Sequence, residues 1–245
     1  MVERKGFQTS AKNYIKAAAT LGLVAENVTG VTLPNEAISD WETMMYAIRI
    51  GDDRVDSITD SLSRSDFKKH VMGFLKNENI LSTHDEELID SMTGLKNICE
   101  GLPTEKRDSL LSAFEALLRV TEKLRNTTDA RHYSFLTRLE GQLTSRLFLA
   151  TLPDNFAASP KYKKLVTTFT RFGRFADTID NLSDLSDDAK EDLIAIKPSA
   201  YASIQLLFQS LPDALGTIRN LKLNKHIVSE ILIRTKETIE NNPRK

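Results

Sequence analysis

Structure breakers and soft metal ligands are both scarce in this sequence. Ten glycines and seven prolines are all that punctuate 245 residues, which favours long helices over short strands joined by tight turns. The single cysteine, Cys99, excludes an intramolecular disulfide and fits a reducing compartment. Four histidines, His70, His84, His132 and His226, are scattered without metal-ligand spacing and are expected on surfaces or in caps. There is no glycine-rich phosphate loop. No apolar run approaches the length of a membrane span, and the opening residues MVERKGFQTS lack the apolar segment of a secretory leader. The expectation is a cytoplasmic chain without a transmembrane segment. An excess of either charge is missing too. Lysine plus arginine (33) nearly balances aspartate plus glutamate (34), so no global field points to nucleic acid or an anionic membrane.

What is present is helical periodicity. Nearly every segment repeats its apolar residues at a spacing of 3.6, and none alternates as a strand does. The first helix is predicted over Thr9 to about Ala25, ended by Gly30 and Pro34. A second opens near Asn35, carries Trp41, Met45 and Ile48 on one side, and is expected to run to about Ser63. Ser65 is the candidate cap of a third, through Lys76. Thr83 with Glu86 reads as a capping box opening a fourth helix that ends at Gly101. Pro103 and Thr104 open a fifth, and a sixth covers about Ala130 to Leu152. Ser159-Pro160 opens a seventh, Pro198 an eighth that is kinked or split at Pro212, and Asn224 to about Glu240 forms the last. Without repeats or linkers, the predicted architecture is all-α: residues 1–245 as one antiparallel bundle of about eight to ten helices around a central cavity.

Two aspartate-rich stretches stand out on this frame. GDDRVDSITD, at Gly51–Asp60, places Asp52, Asp53, Asp56 and Asp60 within about a quarter turn if the helix continues, at ~100° per residue. Their like charges repel, and at a helix C-terminus the macrodipole disfavours them further. A bound cation would relieve both penalties. The second stretch, TRFGRFADTIDNLSDLSDDAKED at Thr170–Asp192, sets Asp177, Asp180, Asn181, Asp184 and Asp188 on one side of a helix. Leu165, Phe172, Phe175, Ala176, Ile179 and Leu182 are expected to form its buried back. Arg171 and Arg174 adjoin the acid side. All-oxygen donors without histidine or cysteine suit Mg²⁺, with Mn²⁺ as a substitute, rather than zinc. Neither stretch has the ligand offsets of an EF-hand. The alternative from another class is a non-catalytic helical interaction protein whose acidic faces are simply solvated.

These residues resemble the class I isoprenoid synthases, the helical enzymes that include squalene and phytoene synthases, prenyl elongases and terpene cyclases. DDRVD looks like their first aspartate-rich motif. Asp180–Asp184 and Asp184–Asp188 both fit the Asp-x-x-x-Asp second motif of the squalene/phytoene branch. GRFADTIDNLSDLSDD is similar to the arginine-then-acid helix of non-canonical bacterial terpene synthases. RLEGQLTSRLFLATL at Arg138–Leu152 resembles an Arg-x-Glu-Gly segment in which glycine loosens the helix lining the pocket. The resemblance spans roughly Trp41 to Asp192. It departs from the Asn-Asp-x-x-Ser-x-x-x-Glu motif of many cyclases and from the second DDxxD of chain elongases, which argues against elongation.

The resemblance implies a Mg²⁺-dependent enzyme acting on a prenyl diphosphate, a class I terpene synthase first and a head-to-head squalene/phytoene-type synthase second. It assigns Asp52, Asp53 and Asp56 to the first metal group and Asp180 and Asp184 to the second, with Asp177, Asn181 and Asp188 as alternatives of register. Arg138 and Arg174 would bind the diphosphate. Departure of the diphosphate leaves an allylic cation that aromatic faces steady. Trp41, Tyr46, Phe135, Phe148, Phe172 and Tyr201 are the candidate walls, each with plain core packing as its alternative. Monomer and homodimer are both left open.

Overall fold

The computed structural model describes residues 7–221, with side chains from Ala17 onward. The helix predicted over Asn224 to about Glu240 and the side chain of Tyr14 lie outside the described residues. Among the described residues the chain is all-α, with nine helices in one compact domain and no strand: α1 (Phe7–Thr29), α2 (Asn35–Asp56), α3 (Ser61–Leu75), α4 (Glu86–Gly101), α5 (Thr104–Asn126), α6 (Ala130–Ala150), α7 (Asp154–Ala157), α8 (Tyr162–Lys190) and α9 (Ala200–Asn220). No helix here is long and apolar enough to cross a membrane.

Local chemistry accounts for most of the boundaries. Gly30, with φ +77°, ends α1, a conformation that costs glycine least. α2 stops at Asp56 and does not reach Ser63. Asp60 adopts extended backbone, and its carboxylate accepts a hydrogen bond from the Ser63 amide (2.8 Å), capping α3. Asp60 therefore leaves the acid arc of α2, and Ser65 lies inside α3 rather than at its mouth. Asp85, not Thr83, caps α4 by accepting from the Leu88 amide (3.1 Å). Asp129 and Ser199 cap α6 and α9 in the same way. Between the sixth and seventh predicted helices lies the single turn α7. α9 runs through Pro212 without splitting.

α6 lies at the centre, packed against α5, α8 and α9, while α2 packs against α1 and α4. Trp41 of α2 is fully buried, edge-on to Phe148 of α6 (ring centroids 5.5 Å apart) and Phe169 of α8 (5.8 Å). Its indole N–H donates to Thr151 Oγ1 at 2.8 Å. These three rings fix α2 against α6 and α8, and so set where the aspartates of α2 stand relative to those of α8. On α9, Tyr201, Ile204, Leu207, Phe208, Leu211, Leu215 and Ile218 are exposed and recur at helical spacing on one side.

Candidate functional site

Asp52 of α2, Glu140 of α6 and Asp177 of α8 come within reach of one another's charge, and Arg125 of α5 stands beside Asp52 and Asp56. Asp52 combines partial exposure with a desolvated carboxyl. Its side chain keeps 41% of its exposure, yet the surrounding protein is dense enough that desolvation raises its pKa above the carboxylate range, against the opposing charges of Arg125 and Arg49. Arg125, in the last turn of α5, pairs with Asp56 and lies 3.7 Å from Asp52. That guanidinium stands beside carboxylates at the negative end of α2, where they would otherwise be disfavoured. Asp53 is held by Arg49 one turn earlier (2.9 Å). Arg54 turns away and ties α2 to Asp85 and Glu87 at the start of α4.

Glu140 of α6 faces this group. It accepts a hydrogen bond from Thr121 Oγ1 of α5 at 3.1 Å. Burial pushes its pKa up to about 7, with the charges of Asp52 and Asp180 acting in the same direction. Asp177 of α8 is raised further above the usual range, by burial first and then by Glu140, Asp180 and Asp52. The proximity of Glu140 holds the Asp177 carboxyl up, and Asp177 Oδ2 is buried with no hydrogen-bond partner. Below them Tyr133, fully buried, donates to Asn181 Oδ1 at 2.7 Å. Burial raises the phenol's pKa, as do the charges of Asp188, Glu140, Asp177 and Asp184. The charge row of α8 therefore runs from Asp177 past Asp188 along α6.

The expected back of α8 is covered in part. Leu165 is fully buried and Phe172 and Leu182 pack against the core, whereas Phe175 and Ile179 are half-buried and Ala176 is exposed; Thr178 and Leu185 are buried as well. On the acid side Asp177, Asn181, Asp184 and Asp188 are half-buried and Asp180 is exposed, on a helix that packs against both α6 and α9. The close approach of α6 has a visible cause. A Cβ on Gly141 would collide with the carbonyl of Gly173, and a Cβ on Gly173 would collide with Ser145 Oγ and the Gly141 carbonyl. α6 continues unbroken through Gly141, so this glycine admits a neighbouring helix instead of loosening its own.

The other expected site residues are placed differently. Arg138 donates twice to Asp213 Oδ2 of α9 (3.0 and 2.7 Å), so its partner is neither Glu140 nor Asp129. Arg174 donates to Gln142 and lies 3.9 Å from the same Asp213 carboxylate. Asp213 is 6% exposed. Trp41 and Phe148 are core residues, and Phe172 packs against that core. Tyr46 donates to Glu87 at 2.8 Å, toward α4. Phe135, expected on a cavity wall, is instead 56% exposed and stacks on His132. It sits about half a turn around α6 from the inward Tyr133. Tyr201 is also on the surface, its phenol oxygen accepting from Arg131 Nε.

Spacing did not single out Glu140, Arg125 or Asp213. Glu140 was legible only as part of RLEG. Arg125 stands where a helix end favours a cation, and Asp213 is a lone acid in an apolar helix, a pattern that signals a buried partner. Among the described residues, no three His, Cys, Asp or Glu side chains converge closely enough to hold a metal ion by themselves. Compared with protein-family models, curated proteins and solved structures, the chain matches none.

Proposed function

We propose that this chain is a Mg²⁺-dependent enzyme acting on a prenyl diphosphate, of the class I terpene synthase kind. The observation that carries the reading is that the two acidic stretches come within reach of one another's charge. Asp52 from the first aspartate stretch and Asp177 and Asp180 from the second act on one another's charge across Glu140, although more than 120 residues separate them in sequence. A merely solvated pair of acidic faces has no reason to bring these groups together and partly desolvate them.

The donor set fits a hard cation. It is all oxygen, it lies beside a buried carboxylate oxygen without a partner at Asp177, and burial raises Asp52 and Asp177 above the usual carboxylate range. Mg²⁺ takes one or two protein carboxylates and completes its shell with water and phosphate oxygens, so a preformed three-carboxylate cage is not required. Asp52, Asp53 and Asp56 on α2 and Asp180 and Asp184 on α8 would hold it. When bound, the ion would neutralise charge developing on the departing diphosphate. The chain's own part is to aim these carboxylates from two helices and to hold Glu140 and Asp177 above the ordinary carboxylate range beside them.

The test is incubation of the full chain with prenyl diphosphates of several lengths and Mg²⁺, with analysis for hydrocarbons, alcohols and released diphosphate. Metal-dependent product is the expected result. Absence of turnover on every substrate, together with no Mg²⁺-dependent diphosphate binding, would overturn the reading.

A further inference from the structure

A group of buried cations beside the α2 aspartates is assigned neither by the aspartate spacing nor by the resemblance. Arg125 is nine-tenths buried, its side chain 10% exposed. One nitrogen, Nη2, serves both Asp56 and Asp52. Nε is buried with no partner. A guanidinium offers its donors in a fixed fork suited to two oxygens of one carboxylate or phosphate. Here the fork is used on one prong, and an acceptor is missing from the other.

The same corner carries two more confined cations. Lys68 and Arg64, one turn apart on α3, are 11% and 13% exposed and hold Glu122 of α5 at 2.8 and 3.3 Å. The charge of Lys68 reaches Asp52, and Arg64 Nε is likewise buried without a partner. Arg138 and Arg174, by contrast, are engaged by Asp213 on the α9 side of α6 and α8.

We propose that Arg125 is the residue that receives a phosphate group at this site, its fork taking two phosphate oxygens where it now holds Asp56 through one nitrogen. The assignment rests on the metal-dependent diphosphate reading above and names the arm that the reading leaves open. A cation on Asp52 and Asp56 lowers their hold on Arg125 as the phosphate arrives. The carboxylates of α2 thus exchange one positive partner for another, and the guanidinium gains a bidentate one.

The probe is inorganic diphosphate, titrated calorimetrically into the full chain with and without Mg²⁺ at pH 7.5, alongside thermal melts. The wild-type chain is expected to bind only with Mg²⁺. R125Q should weaken binding by about tenfold or more, the loss of a charge-assisted fork. R125K keeps the charge beside Asp56 but lacks the fork, and should bind several-fold more weakly with an unchanged melting temperature. R138Q should lower the melting temperature yet leave diphosphate affinity within about twofold. If wild type binds and R125K matches it, or if folded R125Q binds within about twofold of wild type, Arg125 is a structural ion-pair partner and the inference falls while the metal reading stands. If wild type shows no Mg²⁺-dependent binding, the underlying reading falls and takes the inference with it.

Discussion

Gly141 of α6 and Gly173 of α8 lie backbone against backbone, with no room for a methyl group on either. Their neighbours in sequence and on the next turn are Glu140 and Asp177, two carboxyls each raised by burial and by the other. The close crossing and the acid pair are one feature: bulkier residues at the crossing would hold the helices apart and separate the carboxyls.

Gly141→Ala and Gly173→Ala should therefore each destabilise the fold by about 3 kcal/mol, in the upper range for overpacking, because the obstructing atoms are mostly backbone and cannot swing aside. Urea unfolding monitored by circular dichroism measures this. A loss under about 0.5 kcal/mol in both would mean the helices do not cross at these glycines. Gly101 is the control, since a Cβ there meets nothing.

The pH dependence has a definite sign. Glu140 titrates near 7 in the folded chain and near 4.5 when unfolded, so between these values the folded state binds more protons. Stability is then unaffected by this group below about 4.5 and falls as pH rises from 4.5 through 7. Asp177, also raised, adds to the fall. Glu140 alone accounts for roughly 3 kcal/mol of the loss. E140Q should flatten the curve of melting temperature against pH, and Mg²⁺ should restore wild-type stability near pH 7.5. A wild-type curve that parallels E140Q across this window would refute the raised Glu140 carboxyl.

Legibility in the sequence followed the range of each interaction. Gly101, Pro103 and Asp129 mark boundaries through backbone geometry or a cap three residues long, and the helices they delimit were readable. The end of α2 was not, because DDRVDSITD supports either one continuing helix or a stop with Asp60 capping the next. Deciding between them depends on where α3 packs. The partial cover on both sides of α8 was hidden for a similar reason. Its apolar residues Phe175 and Ile179 are those a two-layer helix would bury, whereas α8 has neighbours on both sides. Arg125, Glu140 and Asp213 act only across helices, so no local spacing carries them.

Asp213 is buried between two guanidinium groups, Arg138 and Arg174. Removing its charge leaves both arginines partly buried without a counter-ion. Asp213→Asn should cost about 2–4 kcal/mol, discounted from a fully buried pair because each arginine keeps a quarter or more of its exposure. Chemical denaturation of the variant, and of Asp213→Asn with R138Q, measures the coupling. The double variant should be less damaged than the sum of the two singles. Additive losses would show that Arg138 and Asp213 do not depend on each other.

The aspartates of the two acidic stretches should separate into two groups once turnover is measured. Asp53 stands on α2, paired with Arg49, and Asp184 lies in the row beside Tyr133. Asp53→Asn and Asp184→Asn should each lower turnover of a prenyl diphosphate by at least 100-fold, since each removes a charge proposed to hold Mg²⁺. Asp60 belongs to the same sequence motif but is exposed and serves as the cap of α3. Asparagine caps a helix about as well as aspartate, so Asp60→Asn should keep both the melting temperature and the turnover of wild type. The contrast separates a site built by the fold from a motif read along the chain. Equal losses in all three variants would mean that general acidity, and not this site, supports activity; retained activity in both Asp53→Asn and Asp184→Asn would remove them from the site.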